Sequence, residues 1–396
     1  VESFDNQTNN LTQHTQMTWV VGEPSGDLLA ASIMRAMPDS FRHAGVGGIK
    51  MQEVPRFNLW HDSETLAVNG LTDVLRNYRR LLALRRDVKK RVLQQMPSVF
   101  CGVDSPDFNL KLERAVRQPK IKTVHVVSPT IWAWRPGRIK LIKDSVDLML
   151  VLFPFEKTIY QQAGIRVQCI GHPMADEIPV EPDILGARKS LGLPEGHTWV
   201  ALLPGSRLGE LRHHVRTMIE TAFEIAKRVP KVAFLLPLVS ETHRQVVERF
   251  LVRGFRKHPA MMEKLFIFVG QSRRVIEASD VCLVASGTAT LEAALYKKPM
   301  TVMYRMGNLS WQLLHRMVKA PHVAMPNLLL NERVFPEWLQ DEATPSNLTD
   351  SLLKQLDDLR LREQYKDRLT ELHFSLKLGA GGLARDAILE LLNTKK

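Results

Sequence analysis

The chain has 396 residues, with 54 Lys and Arg against 42 Asp and Glu for a net charge of +12, and is 44% hydrophobic and 24% charged. That length calls for two domains of roughly 150 to 200 residues each, and the composition is that of a soluble globular protein. No stretch reaches the run of about 18 apolar residues that a membrane span requires, while the charge excess points to an anionic partner: nucleic acid, an anionic lipid surface or a phosphorylated substrate.

Residues 1–16 are polar, rich in Asn, Gln and Thr, and lack the basic start and apolar centre of a signal peptide, so they read as a disordered tail. A strand follows at 17–21, then the turn Gly22-Glu23-Pro24-Ser25-Gly26-Asp27 and helical spacing over 28–37. Apolar strand-like runs recur at 98–103, 122–127, 147–153 and 167–170, separated by helical segments, which predicts a parallel sheet covered on both faces. Breakers crowd residues 172–197, where Pro173, Pro179, Pro182, Gly192, Pro194 and Gly196 mark a connection. A second series of strands is expected at 200–203, 232–236, 265–269, 281–285 and 300–304, and amphipathic helices at 346–358, 361–376 and 383–392. The expected division is a tail (1–16), a first Rossmann-like domain (17–185), a second (186–345) and C-terminal helices (346–396) that pack back or onto another subunit. Cys101, Cys169 and Cys282 each lie in an apolar run, too far apart for a zinc pattern and odd in number for a disulfide framework, which suits a reducing cytoplasm.

Within residues 70–92, Leu71, Val74, Leu75, Tyr78, Leu81, Leu82, Leu84, Val88 and Val92 follow helical spacing. From Arg76 to Arg91 the basic residues are Arg76, Arg79, Arg80, Arg85, Arg86, Lys89, Lys90 and Arg91, against the single acid Asp87. That bias fits a helix lying on an anionic membrane surface; the alternative is a core helix whose charges are merely solvated. Nucleic acid is disfavoured because Tyr78 is the only aromatic available to stack on a base.

Four turns carry candidate chemistry. Gly22 to Asp27 lacks the Gly-x-Gly-x-x-Gly of a dinucleotide site, and Glu23 would repel a pyrophosphate, so this loop suits a hydroxyl-bearing ligand or the placing of a carboxylate; Ser25 and Asp27 also fit helix initiation. Asp104 ends a buried strand, while Ser105-Pro106 supplies an N-cap and first helical residue, which leaves Asp104 without a structural duty and makes it the better general base. Asp107 suits the positive end of the following helix. Leu203-Pro204-Gly205-Ser206-Arg207 puts backbone N–H groups, a hydroxyl and a guanidinium at a helix N-terminus, a setting for phosphate or simply an ordinary turn with a surface arginine. Ser286-Gly287-Thr288 repeats the arrangement, with Glu292 one turn on, placed to accept from a ribose diol. His125 and His172 read as structural histidines. No acidic pair has metal-ligand spacing, so no metal and no cofactor are expected.

Taken in order, Gly22-Glu23 with Ser25-Gly26-Asp27, Asp104-x-Pro106-Asp107-Phe108-Asn109, Val127-Ser128-Pro129-x-x-Trp132-Ala133-Trp134-Arg135, Phe153-Pro154-Phe155-Glu156, Gly171-His172-Pro173, Leu203 to Arg207, Ser286-Gly287-Thr288-Ala289-x-Leu291-Glu292 and Pro326-Asn327-Leu328-Leu329 resemble the lipid A disaccharide synthase family from about Trp19 onward. Two departures are Pro24, where the family usually has alanine, and Leu330-Asn331-Glu332, where it usually has Ala-Gly-Arg. The resemblance implies a GT-B glycosyltransferase, two Rossmann-like domains facing a cleft, that inverts the anomeric centre. It would join UDP-2,3-diacylglucosamine to 2,3-diacylglucosamine 1-phosphate (lipid X), giving a β-1,6-linked disaccharide and UDP.

On that basis Ser206, Arg207, Ser286, Gly287, Thr288, Glu292 and Asn327 are expected to hold UDP, with Asp104 as base and Glu23 orienting the acceptor or itself the base. Leu71, Val74, Leu75, Tyr78, Leu81, Leu82, Arg76, Arg79 and Arg80 are expected to meet the membrane or acyl chains. A cytoplasmic homodimer peripheral to the inner membrane is implied, with no nucleic acid partner. Rival readings are another GT-B UDP-sugar transferase with a lipid-linked acceptor, and a non-catalytic peripheral membrane binder of nucleotide sugars.

Overall fold

The structure, a computed structural model, describes residues 15–66, 71–132, 137–255, 262–308, 311–312 and 320–394, with the side chains of 71–77 and 253–255 outside the description. The chain divides into two compact units, residues 1–176 with 376–396 and residues 177–375. No helix among the described residues is long and apolar enough to cross a membrane.

The first unit holds seven parallel strands: β1 (Thr15–Val21), β2 (Phe41–Gly47), β3 (Phe57–Asp62), β4 (Val99–Val103), β5 (Lys122–Val126), β6 (Leu148–Val151) and β7 (Val167–Cys169), in the order β3-β2-β1-β4-β5-β6-β7. Helices α1 (Pro24–Ala36), α2 (Ile49–Gln52), α3 (Leu71–Gln95), α4 (Pro106–Val116), α5 (Arg138–Ser145), α6 (Pro154–Gln162) and α7 (Pro173–Glu177) connect them. Every residue of β4 is buried, as a central parallel strand covered on both faces must be. The order reverses between β1 and β4. In a doubly wound sheet that reversal opens a crevice beyond the strand ends, and here it falls between the 22–27 turn and Asp104.

The second unit repeats the plan. Strands β8 (Thr198–Leu203), β9 (Val232–Leu238), β10 (Leu265–Val269), β11 (Val281–Ala285), β12 (Met300–Tyr304) and β13 (Glu337–Leu339) are parallel and ordered β10-β9-β8-β11-β12-β13. With them are helices α8 (Ile184–Ser190), α9 (Leu208–Arg228), α10 (Glu241–Phe255), α11 (Ser272–Ala278), α12 (Thr288–Leu295), α13 (Met325–Leu330), α14 (Pro345–Asp357) and α15 (Leu359–Leu376). Here the order reverses between β8 and β11, so the 204–207 and 286–288 turns flank the crevice.

Helix α16 (Ala380–Asn393) belongs to the first unit, where it buries Ala380, Gly381, Ala384, Ala387, Ile388 and Leu391 against α1. Asp176 fixes its start by accepting from the N–H groups of Gly379 and Ala380 at 2.9 and 2.7 Å.

Several expectations change. β1 begins at Thr15, inside the stretch read as a tail; the rest of that tail, like Ala133 to Arg135 of the tryptophan motif, lies outside the described residues. The first boundary falls at 176/177 instead of 185/186, because α8 packs on α11 and Arg188 binds the Ala278 carbonyl and the Asp280 carboxylate at 2.9 Å each. The C-terminal helices do not form one block: α14 packs on α9 and α15 stays with the second unit, whereas α16 joins the first. Strands β2, β3 and β13 had no counterpart in the sequence reading.

The basic stretch is helical as expected, yet its stripe is divided. Leu84, Val88 and Val92 are buried in a core cluster with Phe100, Phe108 and Leu112, so this half of α3 is a core helix. Tyr78, Arg79 and Arg80 are exposed and Leu81 and Leu82 half-buried, while the side chains of Leu71, Val74, Leu75 and Arg76 lie outside the described residues. The cysteines are free and buried.

Candidate active site

In the second unit, β8 runs out of the core at Leu203 into Pro204-Gly205-Ser206, and α9 begins at Leu208 with Arg207 as its N-cap. Gly205 takes φ 106°, which a side chain would strain, and its Cα approaches Glu210 so closely that a Cβ would overlap that carboxylate. Glu210 accepts from the Arg207 N–H at 3.3 Å and from the Arg207 guanidinium at 3.1 Å, which draws the arginine across its own helix start. Opposite, β11 ends at Ala285, and Gly287, at φ 150°, starts α12.

These two turns face one cavity of about 600 Å³. Ser206, Arg207, Ser286, Gly287, Thr288 and Glu292, six of the seven residues expected to hold UDP, line it together. Two helix N-termini therefore address the same space, each with unsatisfied N–H groups and a partial positive charge. Pro237, Leu238 and Val239 from the end of β9 give the wall an apolar portion. The volume suits a ligand the size of a nucleotide.

Glu292 is fixed rather than free. Its Oε1 accepts from Arg273 Nε at 3.1 Å, and Arg273 also donates to Glu177 at 2.8 Å. Burial opposes the Arg273 charge, but the two carboxylates more than offset that and raise its pKa. Ser286 donates to the Val323 carbonyl at 2.7 Å, so its hydroxyl keeps only acceptor capacity toward a ligand.

Asn327 does not line the cavity. It is fully buried, its amide donating to Phe335 O and Glu337 Oε1 at 2.9 Å each and accepting from Phe335 N at 2.9 Å. Glu337 also accepts from the N–H groups of Val323 and Ala324, so Asn327 supports the segment to which Ser286 is tied. Glu210, Tyr304, Arg273 and Glu337 were not singled out from the sequence. For Glu210 a signal existed in its place three residues after the N-cap; the others come from distant elements.

In the first unit, Asp104 and Ser105 both adopt left-handed backbone, at φ 55° and 43°, a strained pair at the sheet's switch point. Asn109 holds them there by donating to the carbonyls of Val20, Val103 and Asp104. Ser105 is not the side-chain cap expected of it, because its left-handed turn carries the hydroxyl against Gly22, where any Cβ would collide. Instead the Asp104 carboxylate accepts the Ser105 N–H at 2.8 Å. Asp104 is half-buried, and Glu23 is exposed at the N-cap of α1. Asp27 does not start α1: buried, it accepts from the N–H groups of Gly48, Lys50 and Met51 and so caps α2.

Asp107, at the start of α4, pairs with Arg138 at 2.6 Å. His125 and His172 are tied to protein partners. His125 is buried against Glu113 at 2.7 Å, and burial lowers the His172 pKa to about 4 while its Nδ1 accepts from Met174 N. Among the described residues no group of three or more His, Cys, Asp or Glu is placed to hold a metal ion.

Two doubly wound parallel domains, the second with an anion-directed, nucleotide-sized pocket at its switch point, define a protein of the GT-B glycosyltransferase class. Solved structures agree on the fold. UDP-GlcNAc 2-epimerase from Neisseria meningitidis, bound to UDP-GlcNAc, gives a TM-score of 0.62 at 12% identity, covering 95% of this chain and all (100%) of that one. Sucrose-phosphate synthase from Thermosynechococcus elongatus gives 0.57 at 15% identity, covering 96% and 98%. The family described as lipid-A-disaccharide synthetase matches residues 17–390. A lipid-A-disaccharide synthase of Aromatoleum aromaticum is 45% identical over 384 residues, 96% of each chain. The chain belongs to the lipid-A-disaccharide synthase family and is a glycosyltransferase that forms the lipid A disaccharide.

Proposed function

We propose that the second-unit cavity holds the UDP portion of UDP-2,3-diacylglucosamine and that the first unit presents 2,3-diacylglucosamine 1-phosphate to it. The diphosphate lies at the N-termini of α9 and α12, within reach of Arg207 and Ser206, and Glu292 accepts from the ribose diol. The convergence of Arg207, two helix starts and Glu292 on one cavity carries this reading. As the acceptor 6-hydroxyl attacks the anomeric carbon, Asp104 takes its proton, and the bond to the diphosphate breaks with inversion. The departing oxygen gains negative charge where Arg207 and the helix N–H groups already point, so stabilisation rises along the reaction. Glu23 orients the acceptor. No step requires a metal.

Acylated substrates partition into a membrane, so the enzyme works at the surface of the inner membrane. Exposed Tyr78, Arg79 and Arg80 on α3 provide the described part of that contact. A cytoplasmic homodimer is included in the reading.

The direct test is UDP release on mixing the two substrates. Asp104→Asn should lower turnover by at least about 10²-fold while leaving UDP affinity near that of the wild type. Near-normal turnover rejects Asp104 as the base, and no UDP release by the wild type rejects the reading as a whole.

A further inference from the structure

His214 lies on α9, less than two turns beyond Arg207, and is fully buried. Its Nδ1 is 2.7 Å from the Pro204 carbonyl, and its Nε2 lies 3.0 Å from both the N–H and the carbonyl oxygen of Arg305. A carbonyl can only accept, so the short Nδ1 contact puts the proton on Nδ1, and in the neutral ring Nε2 is left to accept the Arg305 N–H. Burial lowers its pKa, which favours the neutral ring; the backbone of Pro204 and of Arg305 and the Glu210 charge act against this, and His213 acts with it.

In a planar trans peptide the C=O and N–H point in opposite directions. Holding the Pro204 carbonyl on a buried ring therefore sends the Gly205 N–H the other way, outward from the interior, and Gly205 lines the cavity. On the loop's other side, His243 Nε2 meets the Ser206 carbonyl at 3.1 Å, with its Nδ1 on Ser240 Oγ at 2.8 Å. The Pro204 and Ser206 carbonyls are thus turned onto imidazoles. Among the described residues, nothing accepts the N–H of Gly205 or Ser206.

We infer that His214 is a positioning residue for the donor: it orients the Pro204–Gly205 peptide so that the Gly205 N–H donates to the diphosphate, and it locks that loop to the end of β12 through Arg305. This rests on the proposed placing of UDP in the second-unit cavity. His214 touches no reacting atom. A hydrocarbon side chain in its place would leave the Pro204 carbonyl free to turn toward the cavity, where it would oppose an anion.

The test is calorimetric titration with UDP, with steady-state kinetics alongside. His214→Met, of similar bulk and without strong polar groups, should weaken UDP binding at least about tenfold, the scale of one hydrogen bond to a charged group. KM for the donor should rise similarly, with the acceptor KM unchanged. His214→Gln, whose amide both donates and accepts, should stay within about threefold of wild type. Affinity of His214→Met within twofold of wild type, or His214→Gln as weak as His214→Met, overturns the inference. Arg207→Ala serves as the separate control. If it too leaves UDP affinity unchanged, the cavity assignment itself fails; if it weakens binding while His214→Met does not, only the role of His214 fails.

Should His214→Met not fold, the ¹⁵N-glycine-labelled wild type decides. UDP should move the Gly205 amide resonance downfield and slow its hydrogen exchange, whereas an unchanged Gly205 amide overturns the proposal.

Discussion

Arg207 and Glu210 illustrate how a charged pocket can exist without a ligand. The exposed guanidinium leans on a carboxylate three residues away, an interaction worth little in water, so a diphosphate can take over the arginine at small cost. His43 is a contrasting case, a polar residue committed to the interior. Its Nδ1 accepts from the Trp19 indole at 3.1 Å, and burial lowers its pKa to about 4. The unfolded chain binds a proton at His43 near pH 6.5 and the folded chain only near 4, so its contribution is complete above pH 6.5 and is lost as pH falls toward 4. Urea unfolding at pH 7.5 and pH 5 should show the wild type losing on the order of 2 kcal/mol more than His43→Gln over that interval. Equal losses would show that His43 does not titrate this way. At this scale the sequence was informative about the cavity lining: Ser206, Arg207, Ser286, Gly287, Thr288 and Glu292 announce themselves by lying on or just after turns that follow apolar strands. Asn327 could not be read so, because its partners Phe335 and Glu337 sit on a loop and a strand that its neighbours do not foretell.

Among the elements, the central strands were legible because burial on both faces produces unbroken apolar runs. β2 and β3 escaped for opposite reasons. β2 reads Phe-Arg-His-Ala-Gly-Val-Gly, where Gly45, at φ 142°, lets the chain close on the Trp19 carbonyl and His43 is a hydrogen-bond partner instead of a surface charge. β3 lies at the sheet edge, where polar residues are tolerated and alternation weakens. Helix α3 was half legible: its period foretold a helix, but period alone does not say which apolar residues face a core. With Leu84, Val88 and Val92 taken up by the interior, the proposed lipid contact is left, among the described side chains, to Tyr78, Arg79 and Arg80. Replacing Arg79 and Arg80 together by Gln should lower the affinity for anionic vesicles by roughly thirtyfold at low salt, read by co-sedimentation, about 1 kcal/mol being lost per basic residue. Neutral vesicles or high salt should abolish the difference. Binding that ignores lipid charge would place the contact elsewhere.

The whole molecule is two copies of one plan, each with its candidate site turns at the reversal of strand order, and this repetition was visible in the two series of apolar runs. What the runs could not reveal was ownership of the last helix. α16 fits α1 through small residues, and a Cβ on Gly381 would come within 2.8 Å of Ser32 Oγ and 2.9 Å of its carbonyl oxygen. Gly381→Val should therefore destabilise the protein by about 1 to 3 kcal/mol in urea unfolding, with UDP affinity preserved in the folded fraction. Wild-type stability would mean that this helix seam does not bear on the fold.

The return of α16 has a consequence for how the protein is made. The second unit is continuous, residues 177–375, and can leave the ribosome as a finished fold. The first unit emerges earlier but lacks the cover for α1 until residues 376–396 are synthesised. At ordinary elongation rates that interval is roughly 10 to 40 s, during which α1 lacks the helix that packs on it. The unit synthesised first is the one sealed last, which makes the nascent first unit, and not the second, the natural client of a chaperone.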